Sequence, residues 1–203
     1  MNTAADFNEH YFKGGSNYTD YTKKKFDGLC EDLITVCRMN TTDKILDFGC
    51  ASGGLLAEFK KRGFTKLTGT DISDWALTFG KQEYGLQSIL KPFSLGLLNK
   101  KYDWVLMLDV AEHVNTIDLF GLLHALHKCD IKKGIIIRIP VSANEGEDFV
   151  LDVSKNDKTH IQRHEKKWWE AMFNIAGYKT YIAITMPTIY DSEGVMVRQM
   201  VKI

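Results

Sequence analysis

The sequence predicts an α/β fold: a mostly parallel sheet of seven strands with helices on both faces, closed by a C-terminal antiparallel hairpin. Three observations carry this. From Lys44 onward short β-type runs alternate with helical stripes, the pattern of parallel strands joined by crossover helices. The run DWVLMLDV from Asp103 is apolar almost throughout, as a central strand covered on both faces must be. The chain ends in KTYIAITM and GVMVRQMVKI, parted only by a short polar turn around Asp191 to Gly194, which favours an antiparallel pair.

Each element follows in order. Phe26, Leu29, Cys30, Leu33, Ile34 and Cys37 form a helical stripe in which cysteine serves as a small hydrophobe. KILDFGC is the first strand and runs into a glycine-rich turn, Gly49 to Gly54; a helix follows with Leu55, Leu56 and Phe59 inward and Gly63 ending it. KLTGTD is the second strand, after which Ser73 or Asp74 caps a helix carrying Trp75, Leu77 and Phe79. A third strand around Ser88 to Phe93 is placed at the edge by Pro92. After the fourth strand, Asn115 or Thr116 caps a helix whose inward stripe is Ile117, Phe120, Leu123 and Leu126. GIIIRIPV is the fifth strand, stopped by Pro140. A long polar stretch then leads to a helix carrying Trp168, Trp169, Met172, Phe173 and Ala176, ending at Gly177.

Length and charge narrow the function. The 203 residues are enough for one domain, not for a cofactor domain plus a substrate domain. Lysine plus arginine and aspartate plus glutamate number 26 each, so the net charge is zero; a nucleic-acid backbone, an anionic membrane or a polyanionic acceptor is not expected. No apolar run approaches a membrane span, and MNTAADFNEH lacks the parts of a signal peptide, so a cytoplasmic protein is expected. Cys30, Cys37, Cys50 and Cys129 show no C-x-x-C spacing and read as reduced thiols. The basic triplet Lys23 to Lys25 reads as a solvated face.

The chemistry concentrates in ILDFGCASGG, Ile45 to Gly54, at a strand end and a helix start. Small residues there let a ligand approach the backbone, and the helix N-terminus offers free N–H groups. Asp71 stands at the spacing from this loop that suits an acceptor for ribose hydroxyls. By residues alone this fits either a nicotinamide-dependent oxidoreductase or another nucleoside-binding protein, catalytic or not. A short-chain oxidoreductase needs Tyr-x-x-x-Lys after the fourth strand; that spacing occurs at Tyr21 and Lys25, upstream of the loop.

ILDFGCASG together with GTDIS and KYDWVLMLDVAEHV, in that order, resembles the class I S-adenosylmethionine-dependent methyltransferases, whose fold is Rossmann-like. The resemblance covers Lys44 to Ile203. It implies that Asp47, Gly49, Cys50, Ala51 and Gly53 surround the methionine end of S-adenosyl-L-methionine. It further implies that Asp71 binds the ribose with Ile72 beside the adenine, that Ser94 and Leu95 lie at the adenine, and that Asp109 and Val110 border the cofactor. Ala51 and Phe93-Ser94-Leu95 depart from the usual pattern, where a glycine and an aspartate are common.

The sulfonium makes its methyl group electrophilic, so the protein need mainly align a nucleophile and exclude water. Where a base is used, histidine has the fitting pKa. His160, in KTHIQRH, and His113, after the fourth strand, are the candidates; His124 and His127 read as surface or boundary residues on a helix, and His10 has no partner in sequence. His160 and His164 are four apart but no third ligand is near in sequence, so no metal is expected. Residues 1–43 are expected to form a helical segment in which Tyr11, Phe12, Tyr18, Tyr21 and Phe26 flank Gly14 and Gly15 and close over the cofactor as a lid, or pack on the following helix. The expected reaction is methyl transfer to a small polar acceptor, a sugar or a sugar-derived metabolite.

Overall fold

A computed structural model describes residues 2–15 and 20–203; Tyr18 lies outside the described residues. The helices are α1 (Asp27–Cys37), α2 (Gly54–Lys61), α3 (Asp74–Tyr84), α4 (Thr116–Lys128), α5 (Asp152–Asn156) and α6 (Lys166–Ile175). The strands are β1 (Lys44–Phe48), β2 (Lys66–Asp71), β3 (Leu90–Pro92), β4 (Lys101–Leu108), β5 (Asp130–Pro140), β6 (Tyr178–Ala183), β7 (Thr185–Met186), β8 (Ile189–Tyr190) and β9 (Val195–Lys202). Seven strands form one sheet in the order β3-β2-β1-β4-β5-β9-β6. Neighbours from β3 to β5 run parallel, and β9 is antiparallel to both β5 and β6.

The apolar β4 stands at the centre, as its composition requires. Leu46, Val105 and Ile137 face a core shared with α4 and α6, including Leu123, Trp169 and Phe173. Ile45, Trp104 and Leu106 face a second core shared with α1 to α3, including Leu33, Leu56 and Leu77. The cysteines are free and buried.

Two expectations about elements are corrected. The last two long strands are not joined by a tight turn: β6 stops at Ala183, and β7 and β8 form a small ribbon between it and β9. Pro187 lacks the N–H that a continuing ladder needs, while Asp32 of α1 accepts from the amide (2.7 Å) and hydroxyl (2.6 Å) of Thr188, pinning the ribbon to the first helix. In α4 the inward stripe is Leu119, Leu122, Leu123 and Leu126; Ile117 is 83% exposed and Phe120 40%. Both stripes share Leu123 and Leu126, and the i, i+3, i+4, i+7 set fills the interface best.

This assignment has an energetic consequence. Leu123→Ala is expected to lower stability by about 2–5 kcal/mol and Ile117→Ala by less than about 0.5 kcal/mol, read from urea midpoints at unchanged m-value. Equal losses would contradict the orientation of α4.

Candidate functional site

At the carboxyl ends of β1, β2 and β4 a cavity of about 820 Å³ opens, bordered by the glycine-rich loop, the turn after β4 and the N-terminal segment. Its position follows from the topology, because β1 and β4 are neighbours whose crossovers leave on opposite faces, and the crevice lies between them.

The loop is fixed by backbone geometry. Gly49 has φ +75° and a Cβ there would stand 2.4 Å from Cγ2 of Val110, so the position demands glycine on two counts. The amides of Gly49 and Cys50 donate to the carbonyl of Thr70, at 2.8 and 3.0 Å. Ala51 holds φ +49°, a conformation uncommon for a residue with a side chain, and its amide donates to Oδ2 of Asp71 at 2.8 Å. The other oxygen of Asp71 accepts from the amide of Ser73 at 2.9 Å. Burial raises the Asp71 carboxyl above its ordinary value, and these amides pull it back.

Asp47, Gly49, Cys50, Ala51, Asp71, Ile72, Leu95, Asp109 and Val110 all border the cavity. Gly53 and Ser94 are not among its bordering residues. A Cβ on Gly53 would stand 2.8 Å from Leu90 and 2.9 Å from Leu86, so this glycine serves the packing of the loop on β3. Ser94 is exposed ahead of the short turn Leu95–Asn99, and its neighbour Phe93 borders the cavity instead, edge-on to Phe48.

Asp47 is the most perturbed of the acidic groups at this end. Burial first, and repulsion from Asp71 second, push its carboxyl up to about 7. Two carboxylates and a tightly turned loop of small residues therefore converge on one cavity. A cationic amino group beside Asp47 would relieve both penalties, and the small side chains leave its path open, so the residues fit the ligand that the sequence resemblance implies.

At the other end Asp109, at φ +56°, receives Nε of Arg138 at 2.9 and 3.0 Å and a second, shorter bond from the same guanidinium. Burial alone would raise the Asp109 carboxyl, but the guanidinium outweighs it and holds the group below the ordinary range. Lys24 also borders the cavity, its ammonium 4.9 Å from the ring centre of Tyr21 and 5.4 Å from that of Phe26. Burial lowers its pKa. The expectation of a solvated lysine face thus holds for Lys23 and Lys25 and is corrected for Lys24.

The N-terminal rings pack on α3 and on His113. Phe12 stacks on Trp75 with centroids 5.8 Å apart, and Phe7 meets His113 edge-on at 5.4 Å. The hydroxyl of Ser73 donates to the carbonyl of Phe7 at 2.5 Å, and Asn2 donates to the carbonyls of His113 and Thr159 at 2.9 and 2.6 Å.

Of the two candidate bases, His113 borders the cavity and His160 does not. His160 is 2% exposed, with its ring centre 4.7 Å from that of His113. Burial, then the neighbouring His160, brings the His113 pKa down to about 4; burial also lowers that of His160. Both rings are neutral at pH 7. Folding also supplies what the sequence did not reveal, a third ligating group near His160: Glu112, adjacent to His113.

Arg138, which borders the cavity, and Glu112, which lies beside His113 and His160, are the charged residues here left unassigned in sequence. Arg138 had a signal, since a charge inside GIIIRIPV requires a buried partner. Glu112 stood within the quoted E-H-V segment, but only the fold brings it to His160.

Residues 21–181 match the family described as a methyltransferase domain. A probable fatty acid methyltransferase of Pseudomonas putida is 31% identical over 142 residues, which span 66% of this chain and 35% of that protein. Among solved structures, an S-adenosylmethionine-dependent methyltransferase from Clostridium acetobutylicum superposes with a TM-score of 0.67 at 13% identity, covering 94% of this chain and 96% of that one. Magnesium protoporphyrin IX methyltransferase from Synechocystis, with bound S-adenosylhomocysteine (SAH), gives 0.62 at 19% identity, covering 87% and 83%. The chain belongs to the class I S-adenosylmethionine-dependent methyltransferases, and its fold is the Rossmann-like one that the resemblance implied.

The charge state of Asp47 makes a pH test. Its carboxyl must be ionised to receive an ammonium group, and in the free protein it ionises near pH 7. SAH is expected to bind about tenfold more weakly at pH 6 than at pH 8, with little change above. Asp47→Asn should bind weakly and without this dependence; a native profile flat from pH 6 to 8, measured calorimetrically, would contradict the role.

Proposed function

We propose that this chain transfers the methyl group of S-adenosylmethionine to a small acceptor with an apolar body, which binds beneath the N-terminal segment. The observation that carries this is the lining of one cavity. Its loop brings the carboxylates Asp47 and Asp71, and the N-terminal rings Phe7, Tyr11, Phe12 and Tyr21, which cluster with Ala51 of that loop and with Trp75, wall it together with Lys24 and Arg138. The aromatic wall favours an apolar acceptor over the sugar expected from composition, and the name of the Pseudomonas putida relative agrees with it. The family match likewise favours a methyl donor over a nicotinamide.

In this reading the bound cofactor supplies an electrophilic methyl group. Gly49, Cys50 and Ala51 cradle its amino-acid end while Asp47 receives the amino group. Asp71 accepts from the ribose, and Ile72 and Leu95 flank the base, with Phe93 where Ser94 was expected. Val110 and the backbone of Asp109 close the side toward β4. Arg138 keeps Asp109 ionised and in place. His113 is the neutral polar group at the acceptor end, and His160 acts behind it as a positioning residue. Residues 2–15, tied down by the Ser73 and Asn2 hydrogen bonds, serve as the lid that excludes water.

A radiolabelled methyl-transfer assay tests this. Label is expected to enter a long-chain fatty acid and not a monosaccharide, and removal of residues 1–15 is expected to lower kcat/KM on the fatty acid by more than about tenfold. Transfer to the sugar alone would overturn the acceptor class; an unchanged kcat/KM in the truncated chain would remove the lid.

A further inference from the structure

One cluster of ligating groups lies against the cavity wall and takes no part in holding the cofactor. Glu112 and His113, in the turn after β4, meet His160 from the segment after α5, with one ligand atom from each within 4.8 Å of the others. Oε1 of Glu112 stands 3.9 Å from Nε2 of His113 and 3.8 Å from Nε2 of His160. The Glu112 side chain is completely buried, and neither of its carboxylate oxygens receives a hydrogen bond. A buried carboxylate is kept in a fold when a partner supplies positive charge or a donor.

The two rings are oriented by their other nitrogens. Nδ1 of His160 faces the carbonyl of Ser154 at 3.0 Å. Nδ1 of His113 faces the carbonyl of Thr159 at 3.2 Å and its hydroxyl at 2.9 Å, and that hydroxyl donates its own proton to Asp157 at 2.6 Å. A carbonyl only accepts, so Nδ1 carries the proton on both rings, which leaves the Nε2 atoms near Glu112, that of His160 standing 3.8 Å from Oδ2 of Asp157 as well. Asp157, 1% exposed, also accepts from the Thr159 amide at 2.8 Å and from the Tyr11 hydroxyl at 3.3 Å. Imidazoles fixed through Nδ1–H by carbonyls, and for His113 also through the Thr159 hydroxyl to Asp157, have the outer-shell arrangement that orients metal ligands.

We propose that Glu112, His113 and His160 bind a divalent transition cation of the Zn²⁺ or Mn²⁺ class at the acceptor end of the cavity. One carboxylate and two neutral imidazoles suit such an ion and leave coordination positions open. Bonds of about 2.0–2.2 Å place tetrahedral donors roughly 3.3–3.6 Å apart, so the two carboxylate–imidazole pairs, at 3.9 and 3.8 Å, would close by a few tenths of an ångström. Of the three residues His113 borders the cavity, so an acceptor oxygen would reach the open positions past this ring, and the cation would hold it as a Lewis acid. The site depends on these residues alone and stands apart from the identity of the acceptor.

The test uses the full chain stripped with a chelator and titrated calorimetrically with Zn²⁺, then with Co²⁺ followed by visible absorption. One equivalent of Zn²⁺ is expected, with Co²⁺ d–d bands and no thiolate charge-transfer band, which separates this site from the cysteines. Glu112→Gln and His160→Gln are each expected to weaken binding by at least about a hundredfold while SAH binding persists. Should either fail to fold, His113→Ala at the cavity edge gives the same comparison. No saturable Zn²⁺ binding by the native chain, or binding unaltered in the variants that retain SAH binding, overturns the proposal. Failure of the native chain to bind SAH counts against the cofactor reading and leaves the cation result to be judged by itself.

Discussion

The carboxylate of Asp71 joins three parts of the site. One oxygen takes the amide of Ala51 and fixes the glycine-rich loop, and the other takes the amide of Ser73 at the head of α3. Ser73 caps that helix by accepting from Ala76 at 3.1 Å, and its hydroxyl donates to Phe7, which ties down the N-terminal segment. Loop, helix and cover are therefore registered to the end of one strand. Burial opposes the charge on Asp71 and the amides favour it; a charge held by fixed donors is what hydroxyls of a bound ribose would meet without reorganisation.

A second constraint governs the far end. Asp109 adopts a left-handed backbone and its amide donates to the carbonyl of Arg138, whose guanidinium closes on its carboxylate. This double attachment sets the direction in which the chain leaves β4, and so places Val110 against Gly49 and sends Glu112 inward. The two ends of the cavity thus differ in kind. At the loop end the carboxylates Asp47 and Asp71 lack a cationic partner among the described residues, while at the β4 end the charge is already paired. The proposed cation lies beyond that pair, against the aromatic wall.

Much of this was legible in the sequence, for identifiable reasons. The centre of the sheet was readable because a strand buried on both faces must be apolar throughout, and the loop because Gly49 and Asp71 obey geometric demands that few residues meet. The phase of α4 was not, since TIDLFGLLHALHK carries two apolar stripes and packing chooses between them. Pro187 in KTYIAITMPTIY marked the break before β9, yet its effect depended on Asp32 of α1, which is distant in sequence. Lys24 read as one of a charged triplet because composition cannot show that its neighbours Tyr21 and Phe26 turn it inward. Glu112 and His160 are 48 positions apart, and their meeting is a property of the β4 and β5 crossovers rather than of any local pattern.

The most direct measurement of the central claim is calorimetric binding of SAH to the native chain and to Asp71→Asn, an isosteric change that removes the charge and one acceptor. With folding verified by circular dichroism, the structure predicts affinity weakened about ten- to hundredfold, or about 1.5–3 kcal/mol. Equal affinity in the two proteins would contradict it.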